Sequence, residues 1–198
     1  MTLSRDGWLL FTAAGVRTLA YGGVSVILGP FLGSLGLGPG AIGWVFTAAL
    51  AGGAGLTVVL TTVADRLGRR RMQMVGAGLM VLAGLVFGLT DHLGLLVVAA
   101  VLGSVSPSGK DVGPFLALEQ AMIPSTTSDE SRTAAFSAYN LVTSLAAALG
   151  ALAAGLPALL GIGEARGYRL LLFGYAGGGL VLAALFASLS SRVDVASA

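Results

Sequence analysis

Arg17, Lys110, Asp111 and Glu119 are ionisable residues set inside long apolar stretches, and chemistry would start from them. A charged side chain at the centre of a bilayer costs roughly 2.5–3.5 kcal/mol on insertion scales, so four in one short chain are functional candidates by default. Arg17 lies about 14 Å into the first apolar window, and Glu119 and Asp111 lie about 6 and 18 Å from the end of the fourth, at 1.5 Å per residue. In depth, Arg17 therefore falls between the two acids. Two chemistries fit, and both can hold: Arg17 and Lys110 attract an anionic substrate, or Asp111 or Glu119 takes up and releases protons. The structural alternative is mutual neutralisation, Arg17 with Glu119 or Asp111, which fixes helix packing. Tyr21, Asn140 and Gln120 are polar groups on apolar helices that either reach the same space or bond between helices.

These residues need a scaffold, and composition says which. The chain of 198 residues is 56% hydrophobic and only 10% charged, with a mean hydropathy of +0.91; soluble domains carry about 25% charged residues. An integral, all-α membrane protein is expected. Glycine numbers 31, which in apolar helices favours close backbone approach. The absence of cysteine excludes disulfides, thiolate metal sites and cysteine nucleophiles. His92, the single histidine, sits at the outer end of the third window, so no hydrolytic triad, metal site or enzymatic activity is expected. The glycine-rich tracts lack the following Lys-Ser/Thr of a phosphate loop, so no cofactor is expected either. The net charge of +2 is small and local, a topological signal rather than a nucleic-acid footprint.

Apolar windows near 8–34, 41–63, 72–90, 94–123, 132–160 and 168–189 predict six transmembrane helices, each near the 20 residues needed to span about 30 Å. The first window is longer than a signal-peptide core and is expected to be retained. Within the fourth, Ser106-Pro107-Ser108-Gly109 and Gly113-Pro114 bracket Lys110-Asp111. Such backbone irregularity is tolerated at membrane depth where it lines a cavity. Two internal echoes suggest paired three-helix units of opposite orientation, about 7–90 and 94–189, ahead of a short tail over 190–198. Asp65-x-x-Gly68-x-Arg70 matches Glu164-x-x-Gly167-x-Arg169, and Gly-Pro-Phe-Leu occurs at 29–32 and 113–116.

The loop Asp65-Arg66-Leu67-Gly68-Arg69-Arg70-Arg71 holds four of the eleven basic residues. With the N-terminus inside, Arg5, Arg66, Arg69, Arg70, Arg71, Arg132 and Arg192 face the cytoplasm, against Arg166 and Arg169 outside. The positive-inside rule then puts both termini in the cytoplasm.

This loop resembles the signature between helices 2 and 3 of the major facilitator superfamily, roughly Gly-x-x-x-Asp-Arg-x-Gly-Arg-Arg, with Thr61 at the position of the usual first glycine. The stretch Ser106 to Pro124 also resembles helix 4 of some bacterial members. The resemblance implies a secondary transporter working by alternating access in a cytoplasmic membrane, bacterial by that likeness, with helices 1 and 4 lining a central cavity. It covers the family's N-terminal six-helix half, whereas members usually have twelve helices. A second copy of the chain, or a separate C-terminal half, is therefore expected as partner, with a membrane scaffold that transports nothing as the remaining alternative. In the family, the signature aspartate faces a helix start in the other half, an interaction with the positive end of a helix dipole. By that implication Asp65, Arg66, Gly68, Arg69 and Arg70 form a latch. In a homodimer, Asp65 would meet the partner's fifth helix, whose start at Thr127-Ser128-Asp129-Glu130 has a capping-box pattern, and Arg69 or Arg70 would pair with Asp129 or Glu130.

Overall fold

A helix that is apolar on all sides is driven inside a bundle, and α1 (Arg5–Ser34) is such a helix. Leu10, Ala13, Ala14, Val24 and Leu28 are all buried along it. Its start is fixed by the Ser4 hydroxyl, which accepts a hydrogen bond from the Gly7 amide, and by Asp6 in the first turn. The computed structural model describes residues 3–103, 105–109, 113–190 and 193, and all regular structure among them is helical. Lys110, Asp111 and Arg192 lie outside the described residues.

After α1 come α2 (Pro39–Leu67) and α3 (Arg69–Leu89), separated by Gly68 alone. Gly68 adopts φ +96°, a conformation that β-carbon sterics deny to most residues, so the reversal expected there depends on glycine. Next are α4 (Leu93–Leu102) and α5 (Pro114–Met122), two single-turn 3-10 helices over Ile123–Thr126 and Asp129–Ser131, and then α6 (Arg132–Ala153), α7 (Leu156–Leu159) and α8 (Glu164–Ala187). Among the described residues, five segments are long and apolar enough to cross a membrane: Arg5–Ser34, Pro39–Leu67, Arg69–Leu89, Asp129–Leu159 and Glu164–Ala187.

The window at 94–123 is not a sixth continuous span. Its ten-residue α4 and nine-residue α5 each reach about 15 Å at 1.5 Å per residue, half a bilayer core. The reason is local chemistry. Proline cannot donate to the preceding turn, and its ring clashes with the carbonyl four residues earlier; Pro114 instead takes the first turn of α5, where no donor is needed. Gly109 adds a left-handed residue at φ +67°. The Gly-Pro-Phe-Leu echo falls in unlike places, since Pro30 lies inside α1 whereas Pro114 starts α5. The expected capping box at Thr127–Glu130 is also absent. Asp129–Ser131 forms a 3-10 turn, and the buried Thr127 hydroxyl has no hydrogen-bond partner among the described residues.

Helix α1 packs against α6 and α8, α3 packs against α8, and α2 packs against α4, α5 and α3. Half or more of the most apolar stretch of α1 and α3 is buried, 56% and 50%, against 17% for α2 and 11% for the α6 segment. The outer helices α2 and α6 thus flank the bundle and touch it along narrow stripes, such as Val45, Ala49, Gly53, Leu60 and Ala64 on α2. Glycine sets the closest approach. A β-carbon on Gly22 would run into the Ala147 carbonyl of α6, and one on Gly150 into the Leu19 carbonyl of α1.

That reciprocal crossing yields a stability test. Gly150→Val should lower the unfolding midpoint in detergent, with overpacking worth about 1–3 kcal/mol. Gly55→Ala, with nothing within 4 Å of the new methyl group, should leave the midpoint unchanged or raise it, because alanine is the better helix former by about 1 kcal/mol. Equal midpoints for the two variants would contradict the crossing.

Candidate functional site

The centre of the bundle holds an ion pair with no solvent contact. Arg17 on α1 and Glu119 on α5 are both 0% exposed. Nη1 of Arg17 donates to Oε1 of Glu119, and Nη2 donates to Oε2 at 2.8 Å, a two-pronged match of guanidinium to carboxylate. Tyr139 on α6 closes the network: its hydroxyl donates to Oε2 of Glu119 at 2.5 Å and accepts from Nη2 of Arg17 at 3.2 Å. The Arg17 guanidinium also lies 5.1 Å from the centre of the Phe115 ring, within cation–π range. Phe11 packs edge-on against Tyr139 at 5.8 Å and helps hold the phenol in place. One bridge thereby ties α1, α5 and α6 together.

Above Tyr139 opens a hollow of ≈ 310 Å³, lined by Thr18 of α1, Gln120 of α5 and Asn140, Thr143 and Ser144 of α6. A neighbouring hollow of ≈ 480 Å³ shares Leu116 and Gln120 and continues to Leu50, Ala54 and Thr57 of α2. Together they form one concave face between the two flanking helices. Thr133, Ser137, Asn140 and Ser144 are all exposed along α6, at spacings of four, three and four that keep them on one side of the helix. Burying an amide or hydroxyl in hydrocarbon without a partner costs several kcal/mol. This side of α6 therefore faces water or protein rather than lipid tails.

Of the residues singled out from sequence, Arg17 and Glu119 meet, and Asn140 and Gln120 line the groove. Tyr21 does not reach it. Tyr21 stacks on Tyr175 of α8 at 6.1 Å, and the Tyr175 hydroxyl donates to the Gly103 carbonyl at 3.1 Å, which ties α8 to the end of α4. Tyr139 and Phe115 escaped the sequence reading because a lone aromatic on an apolar helix carries no mark of a bonded role. Thr143 and Ser144 could have been found, since they lie three and four residues from Asn140 and so share its face.

Two arginines of the basic loop have partners within the chain. Arg70 donates to the carbonyls of Phe186 and Ala187 at 3.1 and 2.5 Å, and Arg69 donates to the Ala121 carbonyl at 3.1 Å. Helix C-termini present unsatisfied carbonyls and a partial negative charge, so arginine is a natural cap. Both side chains therefore serve the ends of α8 and α5 within the chain. At the opposite end, Arg169 near the start of α8 donates to the Gly88 carbonyl of α3 at 3.1 Å and pairs with Asp91 at 2.9 Å. Asp65 and Arg66 stay exposed. Asp129 pairs with Arg132 of its own chain at 2.8 Å. Glu130 is exposed.

With this geometry in view, comparison with known proteins decides the family. Residues 10–197 match the Major Facilitator Superfamily. The chain belongs to that superfamily. A relative, the uncharacterized membrane protein YJR124C of Saccharomyces cerevisiae, is 37% identical over 153 residues, which are 77% of this chain and 34% of the yeast protein. The chain thus spans about a third of that relative's length. Its apolar helices, its family and its membrane-protein relative mark it as an integral membrane protein.

The buried bridge can be tested directly. Glu119→Gln leaves the Arg17 charge uncompensated and should lower unfolding stability by about 3–5 kcal/mol, whereas joint replacement by Arg17→Met and Glu119→Leu should cost much less. Tyr139→Phe, which loses hydrogen bonds to charged groups, should cost about 1.5–3 kcal/mol. Denaturation in detergent measures all three; additive losses for Arg17 and Glu119 would exclude the coupling.

Proposed function

We propose that the chain forms one wall of a secondary transporter that moves a small solute by alternating access, with a second six-helix wall supplied by another copy of itself. The observation that carries this reading is the polar, concave face between α2 and α6, two helices that the rest of the bundle leaves largely uncovered. A bundle surrounded by lipid would not place Gln120, Asn140 and Ser144 on an open side. Transporter folds place their substrate sites near the midplane, between repeats that rock against one another. The break between α4 and α5 at mid-depth fits that plan.

Counting α4 and α5 as two halves of one membrane passage gives six, in two inverted units. Packing supports the count: α1 against α6 is matched by α2 against α4 and α5, and α1 against α8 by α3 against α4. Arg70 and Arg169 make the same exchange from opposite ends of the α3–α8 pair. Orientation follows from the arginine excess, with both termini in the cytoplasm of the cell whose membrane holds the protein.

Proton coupling would run through Asp111 or Glu119. A protonated Glu119 loses its two-pronged hold on Arg17 and frees α5 to shift relative to α1. A second reading, in which the opposite wall is a different six-helix half, is favoured by the greater length of the yeast relative.

Purified protein in liposomes should take up solute, and the rate should depend on an imposed pH gradient. Its mass in nanodiscs should be that of two copies. Solute uptake by a single copy would remove the dimer, and a dimer that moves no solute across a broad panel would favour a scaffold. Asp65→Asn should leave insertion intact but change the balance of inward-open and outward-open states, read by distance labels on α2 and α6. An unchanged balance and unchanged uptake would eliminate Asp65 as a latch.

A further inference from the structure

We infer that the groove between α1, α5 and α6 takes a neutral solute carrying hydrogen-bond donors and acceptors side by side, as a vicinal diol does. The inference rests on the transport reading and names the chemistry of the same face. Among the described residues, the side chains of Gln120, Asn140 and Ser144 line the groove, are exposed and have no hydrogen-bond partner. Each amide offers a carbonyl acceptor and an N–H₂ donor a short distance apart, and the serine hydroxyl can play either role. Thr18 and Thr143 spend their protons on the carbonyls of Ala14 and Asn140, at 2.8 and 3.1 Å, and so present acceptor lone pairs. The wall therefore offers donors and acceptors in mixture, which suits a solute of the same mixed character.

Among the described residues, the charges nearest the groove do not select an ion. Arg17 and Glu119 lie beside Tyr139, bound to each other through both terminal guanidinium nitrogens and both carboxylate oxygens, with no exposed surface on either side chain. An anion recruited by Arg17 would have to displace Glu119, and a cation recruited by Glu119 would have to displace Arg17; either leaves a buried charge without its partner. Lys110 and Asp111, outside the described residues, are adjacent in sequence and opposite in sign. Tyr139 lines the groove and bonds to the ion pair, and so touches both. Solute bound at Asn140 thus lies beside the residue that holds the bridge closed.

The test keeps the carbon skeleton and varies the charge. Glycerol, xylitol and glucose are compared with glycerate, gluconate and glucosamine, reading the unfolding midpoint of the full chain in nanodiscs and, in parallel, uptake into liposomes. At least one neutral probe should raise the midpoint, and its charged counterpart should need at least tenfold higher concentration. Asn140→Leu and Ser144→Ala, both exposed positions, should leave the unliganded midpoint in place and weaken the response to the neutral probe by tenfold or more. A response to gluconate that Lys110→Met removes, a response to glucosamine that Asp111→Asn removes, or no response to any neutral probe would overturn the inference. Uptake of charged probes alone would overturn the solute class and leave transport standing; binding of a neutral probe without uptake would do the reverse.

Discussion

The placement of the inner helices depends on one buried charge being answered. Taking a guanidinium or a carboxylate out of water costs several kcal/mol even after relaxation, and an ion pair repays this only with good geometry and further hydrogen bonds. Arg17 and Glu119 meet those conditions through two parallel bonds, the Tyr139 hydroxyl and the Phe115 ring. The consequence is positional. Helix α5 is only nine residues long and is not continuous with α4, so backbone hydrogen bonding cannot fix its angle from above. The bridge fixes it from the side, against α1 and α6, and thereby sets where Gln120 and Leu116 meet the groove.

The opposite side of the bundle is held by a different device. Helices α3 and α8 run antiparallel, and each carries near its start an arginine that caps the end of the other. Between the caps, Gly84 faces the Ala176 backbone and Gly179 faces Val81, so the two helices approach as closely as backbones allow. In a bilayer such packing replaces the hydrophobic force that lipid tails do not supply between helices. The result is a stiff backing of α3 and α8, a central α1, and a polar front between α2 and α6. Division of this kind leaves the polar front apart from the tightly packed back.

Much of this was legible in the residues, because the physics that wrote it is local or periodic. Composition gave the all-helical membrane class, the loop at 65–71 pointed to the superfamily, and depth along α1 and the fourth window brought Arg17 near an acid. The broken passage was half legible: Pro107, Gly109, Gly113 and Pro114 mark a break, yet hydropathy summed over 94–123 counts it as one helix. The arginine clamps were hidden, since a helix-end carbonyl is an acceptor that every sequence possesses. The repeat of Arg70 and Arg169 in matched contexts was their trace. The capping box failed for a related reason: Thr127 and Glu130 have the right spacing, but the chain after Pro124 enters 3-10 turns before α6 begins, so no α-helical start exists there for Thr127 to cap.

A static scaffold and a carrier would make different use of the same polar face. A scaffold gains most by covering its polar groups with a partner that matches them permanently, and the neighbours of Asn140 and Ser144 would then be large, bonded side chains. Here the groove beside them is lined in part by small residues, Gly109, Thr18, Thr143 and Ala147. Small residues leave room for something that comes and goes. Burial of Arg17 and Glu119 at 0% exposure makes their arrangement well defined, and Tyr139 connects it to the groove.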